Sequence, residues 1–305
     1  MAFNIDRFRK EQVYSGSGPI SELRADLEQL GLFDTDVERL RKAWGQATLW
    51  CVAAAFVAFI TWVMTDAGPE EEGHLETLAL GALGVLLVGT GVCLVRYLGY
   101  RRLDLDNRRY TLAGQVIHRL RRDIGPTAPV TLSMDFRRVD LLEKKLGHRV
   151  TPSGWKAEDF ADPWLTLQTR LLDGTHLSIG MVQRLQKRSR TRRSISGKYK
   201  TKFRKKGWAV IQVQLRVKAE RYPDLALLEP EARKYLQLPE GVSVARLQLA
   251  EDRLLLSARL EENWSAGPLG QRAAPDAQKA VVMMLLSLYQ VLNYSKHLHK
   301  QAKAS

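Results

Sequence analysis

The chain has 305 residues, with 47 Lys and Arg against 33 Asp and Glu for a net charge of +14. That length admits a membrane hairpin and one further domain of about 200 residues. Its two cysteines, Cys51 and Cys93, fall inside long apolar runs with no histidine at the same depth, which excludes a zinc centre and reads as two small helix-packing residues.

Residues 1–20 are polar and end in Ser15-Gly-Ser-Gly-Pro19, the composition of a flexible lead-in. The stripe Leu23, Leu27, Leu30 marks a short amphipathic helix that Gly31 should stop. Asp34-Thr-Asp36 offers caps for a second helix running through Leu40 and Trp44.

Two long apolar runs follow, Ala47–Met64 and Leu78–Val95. Each is long enough to cross a hydrocarbon core of roughly 30 Å at ~1.5 Å per residue. The connector Thr65–Glu76 holds five acids and no Lys or Arg; Arg39, Arg41 and Lys42 precede the first run, and Arg96, Arg101 and Arg102 follow the second. By the positive-inside rule both termini are cytoplasmic and the acidic loop is outside. The first run begins too deep in the chain for a cleaved signal, so it reads as a retained span.

Small residues stripe both runs: Ala47, Cys51, Ala54 and Ala58 in the first, Gly81, Gly84 and Gly91 in the second. Small faces let membrane helices approach closely, so these are the expected helix–helix packing residues. Trp44, Trp50 and Trp62 suit interfacial anchoring, and no charge sits mid-span to mark an ion pathway.

Beyond Arg101 the pattern turns soluble. Leu112, Val116, Leu120 and Ile124 mark a helix ended by Gly125-Pro126, and Val130, Leu132, Met134 and Phe136 alternate as a strand. Leu146–Pro163 reads as irregular. Three in-phase strands then run through Leu165–Leu171, Leu177–Met181 and Ala209–Val217, with Asp173-Gly174 as the hairpin turn between the first two. A short helix at Glu229–Tyr235, strands Val242–Leu249 and Leu254–Leu260, and a helix from about Pro275 to His299 complete the chain. Its apolar stretch Ala280–Tyr294, about 15 residues, is too short to span comfortably, so it reads as a core or oligomer-packing helix. An interfacial helix beside Lys296, Lys300 and Lys303 is the second reading, and a third span the last.

One segment stands out chemically. Between two in-phase strands, Arg184–Lys206 carries twelve cations and no acid: Arg184, Lys187, Arg188, Arg190, Arg192, Arg193, Lys198, Lys200, Lys202, Arg204, Lys205 and Lys206. It is either a basic β-hairpin reaching roughly 30 Å at ~3.3 Å per residue or a disordered loop. Facing like charges destabilise a hairpin unless an anion intervenes. Anionic lipid headgroups are the first candidate partner, since each nearby cation contributes about 1 kcal/mol at an anionic leaflet. Nucleic acid is the second, because Tyr199, Phe203 and Trp208 interleave with the cations and could stack on bases. An acidic protein surface and a merely solvated loop complete the alternatives.

Catalytic signals are missing. There is no P-loop, nucleophile elbow, dinucleotide glycine fingerprint or His-Glu-x-x-His. His297 and His299 point about 200° apart on a helix and cannot chelate together. Asp104 and Asp106 read as a strand leading to a turn. Glu158, Asp159 and Asp162 lie between Trp155 and Trp164 in what reads as a tryptophan-anchored loop.

The expected architecture is a two-helix transmembrane hairpin plus a cytoplasmic α+β domain with an antiparallel β-sheet and a C-terminal helix. The segments are 1–45 (cytoplasmic, with short amphipathic helices), 46–98 (hairpin, with spans at about 46–64 and 77–97 and loop 65–76) and 99–305 (basic domain). The expected function is non-catalytic, without cofactor or metal: a multi-pass protein of the inner, cytoplasmic membrane that binds anionic lipid or another anionic partner. An oligomeric pore or effector and a membrane-tethered nucleic-acid-binding protein are the alternatives.

Overall fold

The computed structural model describes residues 3–66, 73–193, 197–267 and 274–304. The centre of the acidic connector, residues 67–72, and Ser196 near the middle of the basic segment lie outside the described residues, as do the side chains of Lys300 and Lys303. The chain divides into two units, Met1–Leu27 with Asp106–Ser305, and Glu28–Leu105.

The larger unit begins with α1 (Ile5–Glu11) and β1 (Val13–Gly18). β1 overturns the flexible lead-in expected of Ser15–Pro19: it pairs antiparallel with β2 (Val130–Asp135), Tyr14 opposite Met134. The burial of Tyr14, whose hydroxyl donates to Asp26 at 2.8 Å, fixes the strand despite its glycines.

α2 (Ile20–Asp66) is one continuous helix of 47 residues. Gly31 does not stop it, and the reason is a seam. Leu23, Leu27, Leu30, Asp34 and Val37 are buried, and Arg41, Trp44, Thr48, Cys51, Ala55, Ala58 and Trp62 extend the line as buried or half-buried positions. The steps alternate three and four throughout, the period of a left-handed supercoil, and Gly31 lies off this line. In α3 (Gly73–Leu103), Leu83, Leu86, Thr90, Cys93, Tyr97 and Tyr100 are half-buried at the same spacing.

Within Glu28–Leu105 the two seams meet antiparallel. Arg41 pairs with Asp104, Asp34 accepts the Leu105 N–H at 3.1 Å, and the Cys51 and Cys93 thiols are neighbours. A Cβ on Gly45 would lie 3.3 Å from the Tyr97 ring. Both helices are long and apolar enough to cross a membrane, with 6% and 0% of their apolar windows buried.

The larger unit carries an antiparallel sheet in the order β1-β2-β4-β5-β6-β8-β7, with β3 paired to β4. Its further strands are β3 (Lys145–Val150), β4 (Lys156–Arg170), β5 (His176–Arg193), β6 (Tyr199–Arg216), β7 (Val242–Leu249) and β8 (Arg253–Glu261). The stretch Leu146–Pro163 is therefore strand, not irregular: β3 and β4 are joined through Thr151–Trp155, with Gly154 at φ +74°. Asp173-Gly174 does turn β4 into β5, with Gly174 at φ +87°, a conformation natural to glycine.

One sheet face is apolar. Leu167, Ile179, Val213 and Leu256 sit in register across four strands and are buried. α6 (Ala277–Ala304), with Ala280, Met284, Leu288 and Leu292 buried, packs against this face, and α4 (Asn107–Leu120), with Leu112, Val116 and Ile117 buried, packs beside α6. The terminal helix is thus a core helix. Asp106 caps α4 by accepting the Arg108 N–H, so the sequence around it is a helix start rather than a strand.

Candidate anion-binding surface

The basic segment is a β-hairpin. β5 and β6 stay paired from His176↔Arg216 to Arg193↔Tyr199 without a register shift, and Gly197 takes φ +78° beside the tip. Because side chains alternate faces, the register sorts the cations. Arg184, Arg188, Arg190, Arg192, Lys200, Lys202, Arg204 and Lys206 share one face, which continues the sheet surface opposite α4 and α6. Lys187, Arg193 and Lys205 share the other, and Lys198 lies in the connection.

Among the described residues, Lys187 is the one cation of the twelve paired with a carboxylate, Asp140 at 2.7 Å. That bond, with help from Arg138, holds the Asp140 carboxyl below the usual range. Three of the others are held against neutral groups. Arg188 donates to Gln186 at 2.6 Å, and Gln186 donates to Asp159 at 2.6 Å. The guanidiniums of Arg204 and Arg190 lie 5.2 and 6.0 Å from the Trp155 ring, and Arg259 lies 4.8 Å from Trp208. Such stacking positions a cation without neutralising it. At the hairpin base, Arg149, Asp159, Arg184, Gln186 and Trp208 help line a cavity of about 440 Å³.

The aromatics are divided between the two faces. Tyr199 and Phe203, 75% and 77% exposed, are on the face with Thr191 and Thr201, opposite the eight cations. Only Trp208 shares the cationic face. Sequence reasoning missed Trp155 and Arg149 as neighbours of this surface; the Pro-Ser-Gly turn before Trp155 was the available signal.

The acids between Trp155 and Trp164 do not assemble. Glu158 pairs with Lys145 at 2.6 Å and Asp159 faces Gln186 on the opposite side of β4. Asp162 is buried between Lys144 at 2.8 Å and Arg109 at 3.0 Å. Trp164 is an interior residue stacked on Trp264 at 6.0 Å, not a loop anchor. No group of three His, Cys, Asp or Glu suited to a metal occurs among the described residues.

Of the expected packing residues, Ala47, Cys51 and Ala58 are half-buried, whereas Ala54 is exposed and Ala55 takes the buried place. Gly81, Gly84 and Gly91 are exposed, and among the described residues a Cβ at any of them would meet nothing within 4 Å. The seam of α3 is built from larger residues and the glycines face away from it. No protein-family model, curated protein or solved structure matches the chain.

Proposed function

We propose that this is a two-span membrane protein of the cytoplasmic membrane that presents its sheet unit to the cytoplasm and binds anionic lipid headgroups through the β5–β6 hairpin, without catalysis. The observation that carries the binding claim is the row of eight cations on one hairpin face, none with a carboxylate partner among the described residues. Like charges facing each other across strands are relieved when an anion binds between them.

Two observations support the anchor. Trp50, Met64, Val85 and Val95 are 70–74% exposed, an apolar surface suited to lipid rather than water. β1 precedes the apolar helices and β2 follows them, yet the two strands are paired. Both ends of the helical unit therefore return to one folded sheet, which requires an even number of crossings. The basic flanks favour the cytoplasm for that sheet.

Nucleic acid is the weaker reading, because Tyr199 and Phe203 share their face with only Lys187, Arg193 and Lys205, and Lys187 is paired with Asp140. A homo-oligomer retains one support, the exposed α3 glycines.

The test uses the full chain in nanodiscs of neutral lipid, mixed with free vesicles. Vesicles containing phosphatidylglycerol should be captured, neutral vesicles should not, and capture should weaken with salt. Changing Arg188, Arg190, Arg192, Lys200, Lys202 and Arg204 to Gln should abolish it. Capture unchanged in that variant contradicts the proposal; displacement by single-stranded RNA would favour nucleic acid.

A further inference from the structure

The same sheet face ends, far from the hairpin tip, in a second cationic feature. Arg170 of β4 lies directly opposite His176 of β5, His176 opposite Arg216 of β6, and Arg216 opposite Arg253 of β8. Four consecutive strands thus place three guanidiniums and an imidazole in one row roughly 15 Å long, at the ~4.8 Å strand spacing. All four residues are exposed on the face away from α4 and α6. Among the described residues, the one carboxylate paired with the row is Asp252, 3.2 Å from Arg216 at the surface. Directly opposed like charges are unfavourable. A folded sheet has little reason to collect them in one row unless something anionic is bound there.

A cavity of about 820 Å³ opens on this row. Arg170, His176, Arg216 and Lys218 line it, Gln168 and Gln214 offer amides, and every other lining residue is uncharged. No carboxylate lines it. That volume lies within the range of small-ligand sites. The row is about 40 Å from the Arg188–Arg204 rung at ~3.3 Å per residue, so the two features are separate.

We propose that this cavity binds an organic phosphate of nucleotide size. Its phosphates are held by Arg170, Arg216 and Lys218, with His176 as a further donor, and the amides of Gln168 and Gln214 take its neutral polar groups. A guanidinium binds phosphate oxygens in pairs, and Arg170 and Arg216, two strands and about 10 Å apart, suit separate phosphates of one polyphosphate. An open hollow of limited extent, with neutral donors beside its cations, fits a discrete molecule better than a long polyanion.

The test is calorimetric titration of the full chain in nonionic detergent with ATP, with inorganic tripolyphosphate and with oligothymidylate. ATP and tripolyphosphate should bind with Kd below about 1 mM, and the double variant Arg170→Gln, Arg216→Gln should weaken both by about tenfold or more. The charge-matched control Arg121→Gln, Arg122→Gln, on exposed cations elsewhere, should leave both unchanged. Without ligand, the thermal midpoint of the Arg170→Gln, Arg216→Gln protein should equal or exceed the parent's, because repulsion is removed. The proposal is overturned by absence of ATP and tripolyphosphate binding, by binding of oligothymidylate alone, by affinity unchanged in the double variant, or by a lowered midpoint.

Discussion

Asp162 is fully buried with its carboxylate shared between Arg109 and Lys144, and Lys144 also reaches Asp135 at 3.1 Å. Removing one member of a buried ion network strands the others, at a cost of about 3–5 kcal/mol. Asp162→Asn should lower unfolding stability by that order, measured by denaturant titration, whereas exposed Glu251→Gln should change it by no more than about 0.5 kcal/mol. This role was not legible in the sequence. A bulge between Pro163 and Leu165 shifts the alternation of β4, so Phe160, Asp162 and Trp164 point inward before it and Leu165 and Leu167 after it. Alternation over 158–162 alone carries no sign of that shift.

Acid should undo the same region. Burial works to raise the Asp135 and Asp106 pKa values, but hydrogen bonds from Arg137 and Arg108 outweigh it and both carboxyls end below their usual range. Depressed folded values mean that the stabilisation is present above the unfolded pKa of about 4 and disappears as pH falls through the lower, folded values. Stability should be flat on acidification from neutrality to about pH 5 and fall below about pH 4. Asp135→Asn should remove part of that fall. A loss of stability between pH 7 and 5 would contradict this reading.

At the scale of elements, periodicity read well where it was uninterrupted. The strands at Val130–Asp135 and Ala209–Val217, the turn at Asp173-Gly174 and the helix at Glu229–Tyr235 all occur where the alternation or the glycine pointed. It failed where local composition was allowed to override it. Gly31 was read as a stop although the three-and-four seam of α2 passes beside it, and Ser15-Gly-Ser-Gly18 was read as flexible although its partner strand lies more than 100 residues away. A pairing so distant leaves no local trace. The hairpin was legible as one of two alternatives; its two-faced character required the register of β5 with β6.

The antiparallel seam of α2 and α3 makes its own prediction. Cys51 and Cys93 are free thiols in contact. A mild oxidant applied to the full chain in micelles should form an intramolecular disulfide, seen as faster migration that a reductant reverses. Exclusively intermolecular crosslinks would refute the seam.

For the whole molecule, the cationic surfaces and the core are organised by one sheet with two unlike faces. α6, with α4 beside it, covers the apolar face, while the opposite face presents cations at both ends of β5 and β6. Two helices long and apolar enough to cross a membrane lie in the chain between β1 and β2, which pair with each other. Net charge and hydropathy suggested a basic domain beside a membrane. That the first strand of that domain precedes the helices was not readable, because strand pairing depends on tertiary contacts that no short window contains.

The central claim is that the hairpin rests on an anionic bilayer. The most direct measurement places an environment-sensitive dye at Lys200→Cys, on the cationic face, in a chain with Cys51 and Cys93 changed to Ala, reconstituted into nanodiscs. In discs containing phosphatidylglycerol the dye should report an apolar surrounding that salt reverses, and in neutral discs it should report water. The same signal in both lipids, at all salt concentrations, would contradict the account.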